Sequence, residues 1–104
     1  MTALLNILPQ AQVDLLSHVD YLANRSPDIA TRFNNAVNDI YDQLLQHPQL
    51  GECYKVPSPS GANVRFLTIA GYSNYVLFYR EQDSRIDILR LLHGSQDWQR
   101  ALFR

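Results

Sequence analysis

Cysteine and lysine are almost absent from this chain of 104 residues, which contains one of each, Cys53 and Lys55. A single cysteine excludes an intrachain disulfide and a zinc site built from cysteines. Long apolar runs are also missing, so no segment approaches the roughly 20 residues that a membrane-spanning helix needs. No basic stretch followed by an apolar one stands near Met1, and we therefore expect a cytoplasmic protein with no membrane contact.

Cofactor and metal motifs are missing as well. The sequence has no phosphate-binding glycine loop, no nucleophile elbow and no metal-ligand motif. Asp14 and His18 are four residues apart and could face one ion, but two ligands do not make a site, so a solvated pair is the simpler interpretation. Cys53 has no histidine near it in the sequence, and a packing role is expected. We expect no cofactor and no metal.

The composition that remains is that of one globular domain covering residues 1–104. Apolar residues make up 46% and charged residues 18%, which suits one hydrophobic core and not a disordered chain. The net charge is -1, yet residues 1–52 carry -4 and residues 53–104 carry +3. This asymmetry indicates a basic surface on the second half. Its arginines suit bidentate contact with carboxylate or phosphate, although Arg80, Arg85 and Arg104 are expected to pair with nearby acids.

Two amphipathic helices are predicted in the first half, after a short strand at residues 4–8. Apolar residues recur every three or four positions from Ala11, which predicts a helix with one apolar face, and Asp14 falls outside that face. The sequence Ser-Pro-Asp at 26–28 is a strong start signal for a second helix. The His-Pro pair at 47–48 ends it. Two such helices with a short joint form an antiparallel hairpin.

Strands are predicted in the second half at residues 64–70, 75–80 and 86–92. Both faces of the last strand are apolar, so it should be central, with Ile86, Ile88, Arg90 and Leu92 sharing one face. A short terminal helix is expected around Trp98. The order β-α-α-β-β-β predicts an α+β fold in which the helical hairpin packs on a small antiparallel sheet. The second helix should bury Phe33, Val37, Ile40 and Leu44 against Phe66, Val76, Phe78 or Ile88.

The end of the last strand carries the best candidate for chemistry. His93 follows this strand, Arg90 lies within it, and Arg65 lies in an earlier strand. Histidine can transfer protons near neutral pH, and arginines can hold a phosphate, so the three residues would suit cleavage of RNA through its ribose 2′-hydroxyl. The favoured alternative is structural. In it His93 forms hydrogen bonds at the strand end, and Arg90 pairs with Asp87 or Asp97.

Short motifs in matching order and spacing resemble those of the ParE/RelE toxins of bacterial type II toxin–antitoxin pairs. The resemblance covers nearly the whole chain and favours the ParE branch. Its pieces are a helix start, a helix exit of the form Leu-x-x-x-Pro-x-x-Gly, a strand arginine and two strand motifs. In this sequence they are Pro27, Ala30, Arg32 and Phe33; residues 44–51 (LLQHPQLG); Arg65; residues 75–80 (YVLFYR); and residues 88–97 (ILRLLHGSQD).

Two activities divide the family that the sequence resembles. RelE-like members cut messenger RNA in the ribosome, whereas ParE-like members are associated with inhibition of DNA gyrase. Ribosome-dependent cutters tend to be strongly basic, as contact with many phosphates requires, and this chain is slightly acidic. The resemblance therefore favours a toxin that binds a protein target such as gyrase and is not an enzyme. The alternatives are a ribosome-dependent endoribonuclease using Arg65, Arg90 and His93, and an inactive toxin relative that acts only as a binding module.

The resemblance also implies partners. A small cognate antitoxin is expected to neutralise the toxin, with gyrase as the target, or the ribosome and messenger RNA in the alternative. The complex could be a higher hetero-oligomer, and the sequence does not indicate the antitoxin-binding face. The candidates for toxin activity are polar or exposed residues near a rigid sheet's end: Arg65, Arg90, His93, Gly94, Asp97 and Trp98.

Overall fold

Two helices and five strands make up the part of the chain that the computed structural model describes, residues 4–54 and 64–96. In chain order they are β1 (Leu4–Ile7), α1 (Pro9–Arg25), α2 (Pro27–Gln46), β2 (Glu52–Cys53), β3 (Val64–Ile69), β4 (Tyr72–Gln82) and β5 (Arg85–His93). The α+β class is confirmed, and the predicted order is confirmed with one addition, the two-residue strand β2. The terminal helix predicted around Trp98 lies outside the described residues.

One residue, Ser26, separates the two helices and caps both. Its backbone N–H donates to the Leu22 carbonyl at the end of α1, and its side-chain oxygen accepts from the Ile29 N–H in the first turn of α2. Pro27 occupies the first helical position, where its missing N–H costs nothing. The joint therefore has the chemistry that the sequence predicted, and it turns the chain into an antiparallel helical hairpin.

The strands form one sheet in the order β1-β5-β4-β3-β2. Strands β2 to β5 pair antiparallel, but β1 runs parallel to β5, with Leu4 opposite Arg85 and Ile7 opposite Ile88. The sheet is therefore mixed, whereas the sequence predicted an antiparallel one. Alternation of side chains fixes the faces of a strand and not its direction, so the sequence could not decide this point. β5 has a neighbour on each side, as its two apolar faces indicated.

The main core lies between the helical hairpin and one face of the sheet. Phe33 is fully buried, and its ring packs 4.8 Å from the ring of Tyr75 and 5.1 Å from that of Tyr72. Ile88 of β5 belongs to the same cluster. The predicted burial of α2 is confirmed for its four residues, Phe33, Val37, Ile40 and Leu44.

A second cluster lies on the opposite face of the sheet. It contains Val76 and Phe78, with Phe66 partly buried against them. Of the four residues named as alternatives for the contact with α2, Ile88 is therefore the one that is confirmed, and these three lie on the other face. Residues that alternate along a strand point to opposite faces, and on β4 it is Tyr75, Leu77 and Tyr79 that face the helices.

A register shift in β5 changes which of its residues share a face. Phe78 lies opposite Arg90 and Tyr79 opposite Ile88, so the pairing skips Leu89. Beyond this bulge the alternation is displaced by one residue, and Leu91 joins Ile88 in the helix-side core. The predicted grouping of Ile88 with Leu92 on one face is therefore wrong, because strict alternation does not anticipate a bulge.

Three other expectations can be compared with the structure. Asp14 is buried, although it falls outside the apolar stripe of α1, and Cys53 is exposed on the edge strand β2 rather than packed in the core. In the described ranges, neither helix has the length and apolar character needed to cross a membrane.

Candidate functional site

Arg90 and Asp14 join β5 to α1 through a buried ion pair. The guanidinium of Arg90 donates from Nε to Asp14 Oδ2 at 2.7 Å and from Nη2 to Oδ1 at 3.0 Å. Asp14 Oδ2 also accepts the backbone N–H of Leu91 at 3.0 Å. The Arg90 side chain is 18% exposed and the Asp14 side chain 9% exposed. Arg90 therefore pairs with an aspartate 76 positions away in the chain, whereas the described partners of Asp87 are Asn6, Arg80 and Arg85. Asp97, the other expected partner of Arg90, lies outside the described residues.

His18 takes part in the same joint between α1 and β5. Its Nε2 lies 2.8 Å from the Leu91 carbonyl oxygen, which can only accept, so Nε2 carries the proton. The expectation of a solvated pair between Asp14 and His18 is therefore wrong. Asp14 and His18 are four positions apart on α1, and both contact β5 at Arg90 or Leu91. Spacing within one helix does not reveal a contact with another element.

Arg65 holds the connection between α2 and β2. Its Nη1 donates to the Gly51 carbonyl at 2.8 Å. The Gly51 N–H donates to the Tyr79 hydroxyl at 2.7 Å, and that hydroxyl donates to the Pro48 carbonyl at 2.8 Å. A Cβ on residue 51 would lie 2.7 Å from the Phe66 carbonyl oxygen and 2.8 Å from the Tyr79 ring, which explains the glycine. Three pieces of the motif pattern thus meet at this connection: the helix exit, the strand arginine and the first strand motif.

His93 ends β5 in a tight polar turn. The Ser95 N–H donates to His93 Nδ1 at 3.1 Å, so the proton of the neutral ring lies on Nε2. The Ser95 hydroxyl lies 2.8 Å from the same nitrogen, and the His93 N–H donates to Gln96 Oε1 at 2.6 Å. Gly94 donates from its N–H to the Asn74 carbonyl at 2.7 Å. The predicted strand-end hydrogen bonding of His93 is what the structure shows. Asp97 and Trp98 lie outside the described residues.

The three residues of the predicted constellation do not converge. Arg65 is on β3 and Arg90 on β5, and β4 lies between these strands, so their backbones are about 10 Å apart. Their guanidinium groups then diverge, one toward the connection after α2 and the other toward α1. His93 lies beyond both, at the end of β5. Within the described ranges no group of three metal-ligating side chains comes together either.

A cleft of about 350 Å³ opens beside His93, and sequence reasoning missed it. We call it the tyrosine–histidine cleft, after His18, Tyr21, Tyr75 and His93, which line it together with Ser17, Ser95 and Gln96. The Tyr75 ring lies between the two imidazoles, 5.0 Å from His18 and 5.1 Å from His93, edge to face with each. The sequence places His18 and Tyr21 on the first helix, but it does not predict that this helix packs on β5, and the cleft forms only through that packing.

Arg25 is not one of the lining residues, but it lies beside the cleft, against the ring of the lining residue Tyr21. Its guanidinium carbon lies 5.1 Å from the centre of the Tyr21 ring, over its face. Burial raises the pKa of the Tyr75 phenol, the Tyr21 phenol raises it further, and the positive charge of Arg25 opposes both. The cleft therefore combines one cation with hydroxyl, imidazole and amide groups. No carboxylate is found among its described lining residues.

A second charge cluster ties β1, β4 and β5 together. Asp87 is 2% exposed and accepts from Asn6 Nδ2 at 3.0 Å, from Arg85 Nε at 2.7 Å and from Arg80 Nη2 at 3.3 Å. The hydrogen bond from Arg85 holds the pKa of the Asp87 carboxyl below its usual range, although burial acts in the opposite direction. The expectation that Arg80 and Arg85 pair with nearby acids is confirmed.

Comparisons with known proteins agree with the motif pattern. The family model described as ParE toxin of type II toxin-antitoxin system, parDE, matches residues 5–98. Toxin RelE3 of Caulobacter vibrioides is 32% identical over 89 residues, which are 85% of this chain and 90% of that protein. A solved structure described as the chromosomal ParDE TA system from P. aeruginosa covers 88% of this chain and 96% of its own, with a TM-score of 0.70 and 22% identity. This last likeness shows a shared fold.

Proposed function

Because the chain belongs to the ParE toxin family of type II toxin–antitoxin systems, we propose that it inhibits growth by binding a protein target, DNA gyrase, and is neutralised by a small cognate antitoxin. Resemblance to the ParE branch supports the choice of target. The geometry of the described residues supports binding rather than bond cleavage.

The observation that carries this proposal is the use of Arg65 and Arg90 inside the fold. Cleavage of RNA needs a proton-transfer group and cations within hydrogen-bond reach of one phosphodiester. Here Arg65 is bound to the Gly51 carbonyl and Arg90 to the Asp14 carboxylate, on opposite sides of β4. Both contacts would have to break, and both side chains would have to turn, before they could share a phosphate with His93.

The distribution of charge supports the same choice. Binding to a nucleic acid backbone needs several cations on one face, each released from other partners. Four arginines in the described ranges are instead paired with carboxylates: Arg32, Arg80, Arg85 and Arg90. The net charge of the whole chain is -1. Binding to a protein target requires fewer free cations than binding to the phosphates of a messenger RNA held in the ribosome.

The antitoxin part of the proposal is supported by the sheet edges. β1 and β2 are the outer strands, each with one side unpaired within the described sheet. An unpaired edge accepts an added strand, which is a common mode of peptide binding. The second half of the chain carries +3, so a small acidic antitoxin fits it electrostatically.

Induction of the chain without an antitoxin tests the proposal. We expect growth to stop, purified gyrase to lose supercoiling activity when the chain is added, and messenger RNA on ribosomes to stay intact by primer extension. A short acidic protein in the neighbouring reading frame is the candidate antitoxin, and its co-expression should restore growth and give a complex that co-purifies. Absence of growth inhibition would leave only the inactive-relative alternative.

A pair of histidine variants separates the two activities. His93→Ala removes the candidate proton-transfer group, and His47→Ala removes an exposed histidine at the end of α2. We expect neither variant to affect transcripts. Transcript cleavage that is lost in His93→Ala and kept in His47→Ala, with supercoiling intact, would make this chain a ribonuclease of the RelE kind. The identity to Toxin RelE3 is the observation that keeps this second function in consideration.

A further inference from the structure

The function proposed above assigns no role to the tyrosine–histidine cleft, although His93, a candidate residue for toxin activity, lines it. It is bordered by α1 on one side and by the ends of β4 and β5 on the other. Tyr21, His18 and Ser17 come from one face of α1, and Tyr75 comes from the start of β4. These residues line a space of about 350 Å³, which holds a side chain and not a folded element.

The electrostatics of the cleft select a negatively charged guest. Arg25, at the end of α1, is exposed and has no carboxylate partner among the described residues; its contact is the Tyr21 ring. The nearest acid along the chain, Asp28, is paired with Arg32 at 3.1 Å. Hydroxyl groups and one guanidinium, without a competing carboxylate, favour a carboxylate over a neutral or cationic group.

A single carboxylate fits better than a nucleic acid. A polynucleotide is held by a row of cations that neutralise successive phosphates, and the cleft offers one arginine. One guanidinium beside phenolic hydroxyls matches one Asp or Glu side chain. Since Arg25 is exposed, the charge pair can form without a large cost in desolvation.

We propose that the tyrosine–histidine cleft receives an Asp or Glu side chain of the cognate antitoxin, with Arg25 as its charged partner and Tyr21 and Tyr75 as hydrogen-bond donors. This inference rests on the proposed function, since it needs an antitoxin. It adds a contact point at the far end of α1, next to the His93 turn. An antitoxin segment seated there would cover the exposed polar end of the sheet, where the candidate toxin residues His93 and Gly94 lie.

Replacement of Arg25 tests the contact, with Arg32 as the matched control. Arg25→Gln removes the charge and keeps most of the chain length, whereas Arg32→Gln removes an exposed charge from α2 that is already paired. Biolayer interferometry measures the affinity between the full chain and its cognate antitoxin. We expect Arg25→Gln to weaken binding about tenfold and Arg32→Gln to change it less than about twofold. Growth inhibition without antitoxin should be unchanged in both.

Charge reversal identifies the guest. Arg25→Glu should bind the antitoxin poorly, and one Asp→Arg or Glu→Arg change in the antitoxin should restore binding to that variant and to no other. Antitoxin affinity of Arg25→Gln equal to that of the parent chain would overturn the inference and leave the proposed function intact. Loss of growth inhibition in Arg25→Gln with normal antitoxin affinity would overturn it as well, and would assign the cleft to the target. A parent chain that binds no antitoxin would instead defeat the proposed function.

Discussion

At the scale of single residues, two buried tyrosines differ in the hydrogen bonding of their hydroxyl groups. Tyr79 accepts from the Gly51 N–H and donates to the Pro48 carbonyl, so its hydroxyl satisfies two backbone groups. The hydroxyl of Tyr41 is buried and has no hydrogen-bond partner in the described structure, and burial raises the pKa of Tyr41 to about 12. One hydroxyl therefore stabilises the fold, and the other costs free energy because it has lost its contact with water.

The same substitution should have opposite effects at these two positions. Tyr79→Phe leaves the Gly51 N–H unsatisfied in a buried place, and we expect a loss of about 1–3 kcal/mol in the free energy of unfolding. Tyr41→Phe removes an unsatisfied hydroxyl and should raise that free energy by about 1 kcal/mol. Urea unfolding of both variants against the parent measures the difference. Equal destabilisation by both would show that Tyr41 has a partner.

The sequence predicted where the helices begin and end and which of their residues are buried, but few of the contacts between elements. Ser26 and His47 mark the helix ends as local chemistry dictates, and Phe33 is buried as its place in the stripe of α2 indicated. Asp14 was placed outside the apolar face, yet it is buried. Its partner Arg90 is 76 positions away, and no local pattern relates the two. Helical periodicity specifies which residues share a face, but not which charges meet across elements.

At the scale of elements, the joint between α1 and β5 depends on Asp14. Its carboxylate binds Arg90 through two hydrogen bonds and also accepts the Leu91 N–H. Through Asp14, α1 thus supplies the hydrogen-bond acceptor that a neighbouring strand would otherwise supply to the Leu91 N–H. Arginine motifs of this kind look functional in a sequence, and here the arginine positions the helix that lines the tyrosine–histidine cleft.

Removal of the Asp14 charge should therefore lower stability and toxicity together. Asp14→Asn removes the carboxylate charge that faces Arg90 in a mostly buried place, and we expect a loss of about 3 kcal/mol in the free energy of unfolding. Asp28→Asn breaks an exposed pair with Arg32 and should cost at most about 0.5 kcal/mol. Thermal unfolding and growth inhibition are measured for both. Full stability of Asp14→Asn with lost toxicity would point to a direct functional role of this pair.

The Asp87 cluster makes the association of β1, β4 and β5 sensitive to acid. The pKa of Asp87 is lowered in the folded chain, chiefly by its hydrogen bond with Arg85. The stabilisation is therefore present above the pKa of an unfolded aspartate, about 3.9, and is lost as the pH falls through the lower folded pKa. We expect the parent chain to lose stability steeply below about pH 4. The Asp87→Asn variant should be less stable than the parent near neutral pH, and its free energy of unfolding should fall less when the pH is lowered below about 4. Urea unfolding near neutral pH and below about pH 4 measures both effects.

At the scale of the whole molecule, four arginines of the described residues are paired with carboxylates. The net charge is -1, and the ion pairs within the described ranges join α1 to β5, β4 to β5, two residues of β5 to each other, and one turn of α2 to the next. In the second half, which the sequence shows to be basic, Arg80, Arg85 and Arg90 are thus paired through contacts that only the folded chain makes. Composition gives the number of charges, and the fold decides how many of them a partner can reach.

Weak affinity for RNA follows from this balance. We expect a short single-stranded RNA to bind the chain with a dissociation constant weaker than about 10⁻⁴ M at physiological salt, as measured by fluorescence anisotropy. A double variant, Asp39→Lys with Asp42→Lys on the exposed face of α2, supplies the positive control, because it adds cations. Its affinity should rise and should fall again with added salt. Tight, salt-sensitive binding by the parent chain would contradict the charge argument.

The parallel pairing of β1 with β5 has a consequence for the synthesis of the protein. The hydrogen bond from Asn6 to Asp87 spans 81 positions, and chains grow at roughly 5–20 residues per second, so β1 waits between about 4 and 16 s for its neighbour. During that time the helical hairpin exists without the sheet that covers its apolar face. A shortened product that ends before β5 cannot close the fold. We therefore expect that the growth inhibition proposed above requires synthesis to have passed β5, because the surfaces of the folded chain do not exist before then.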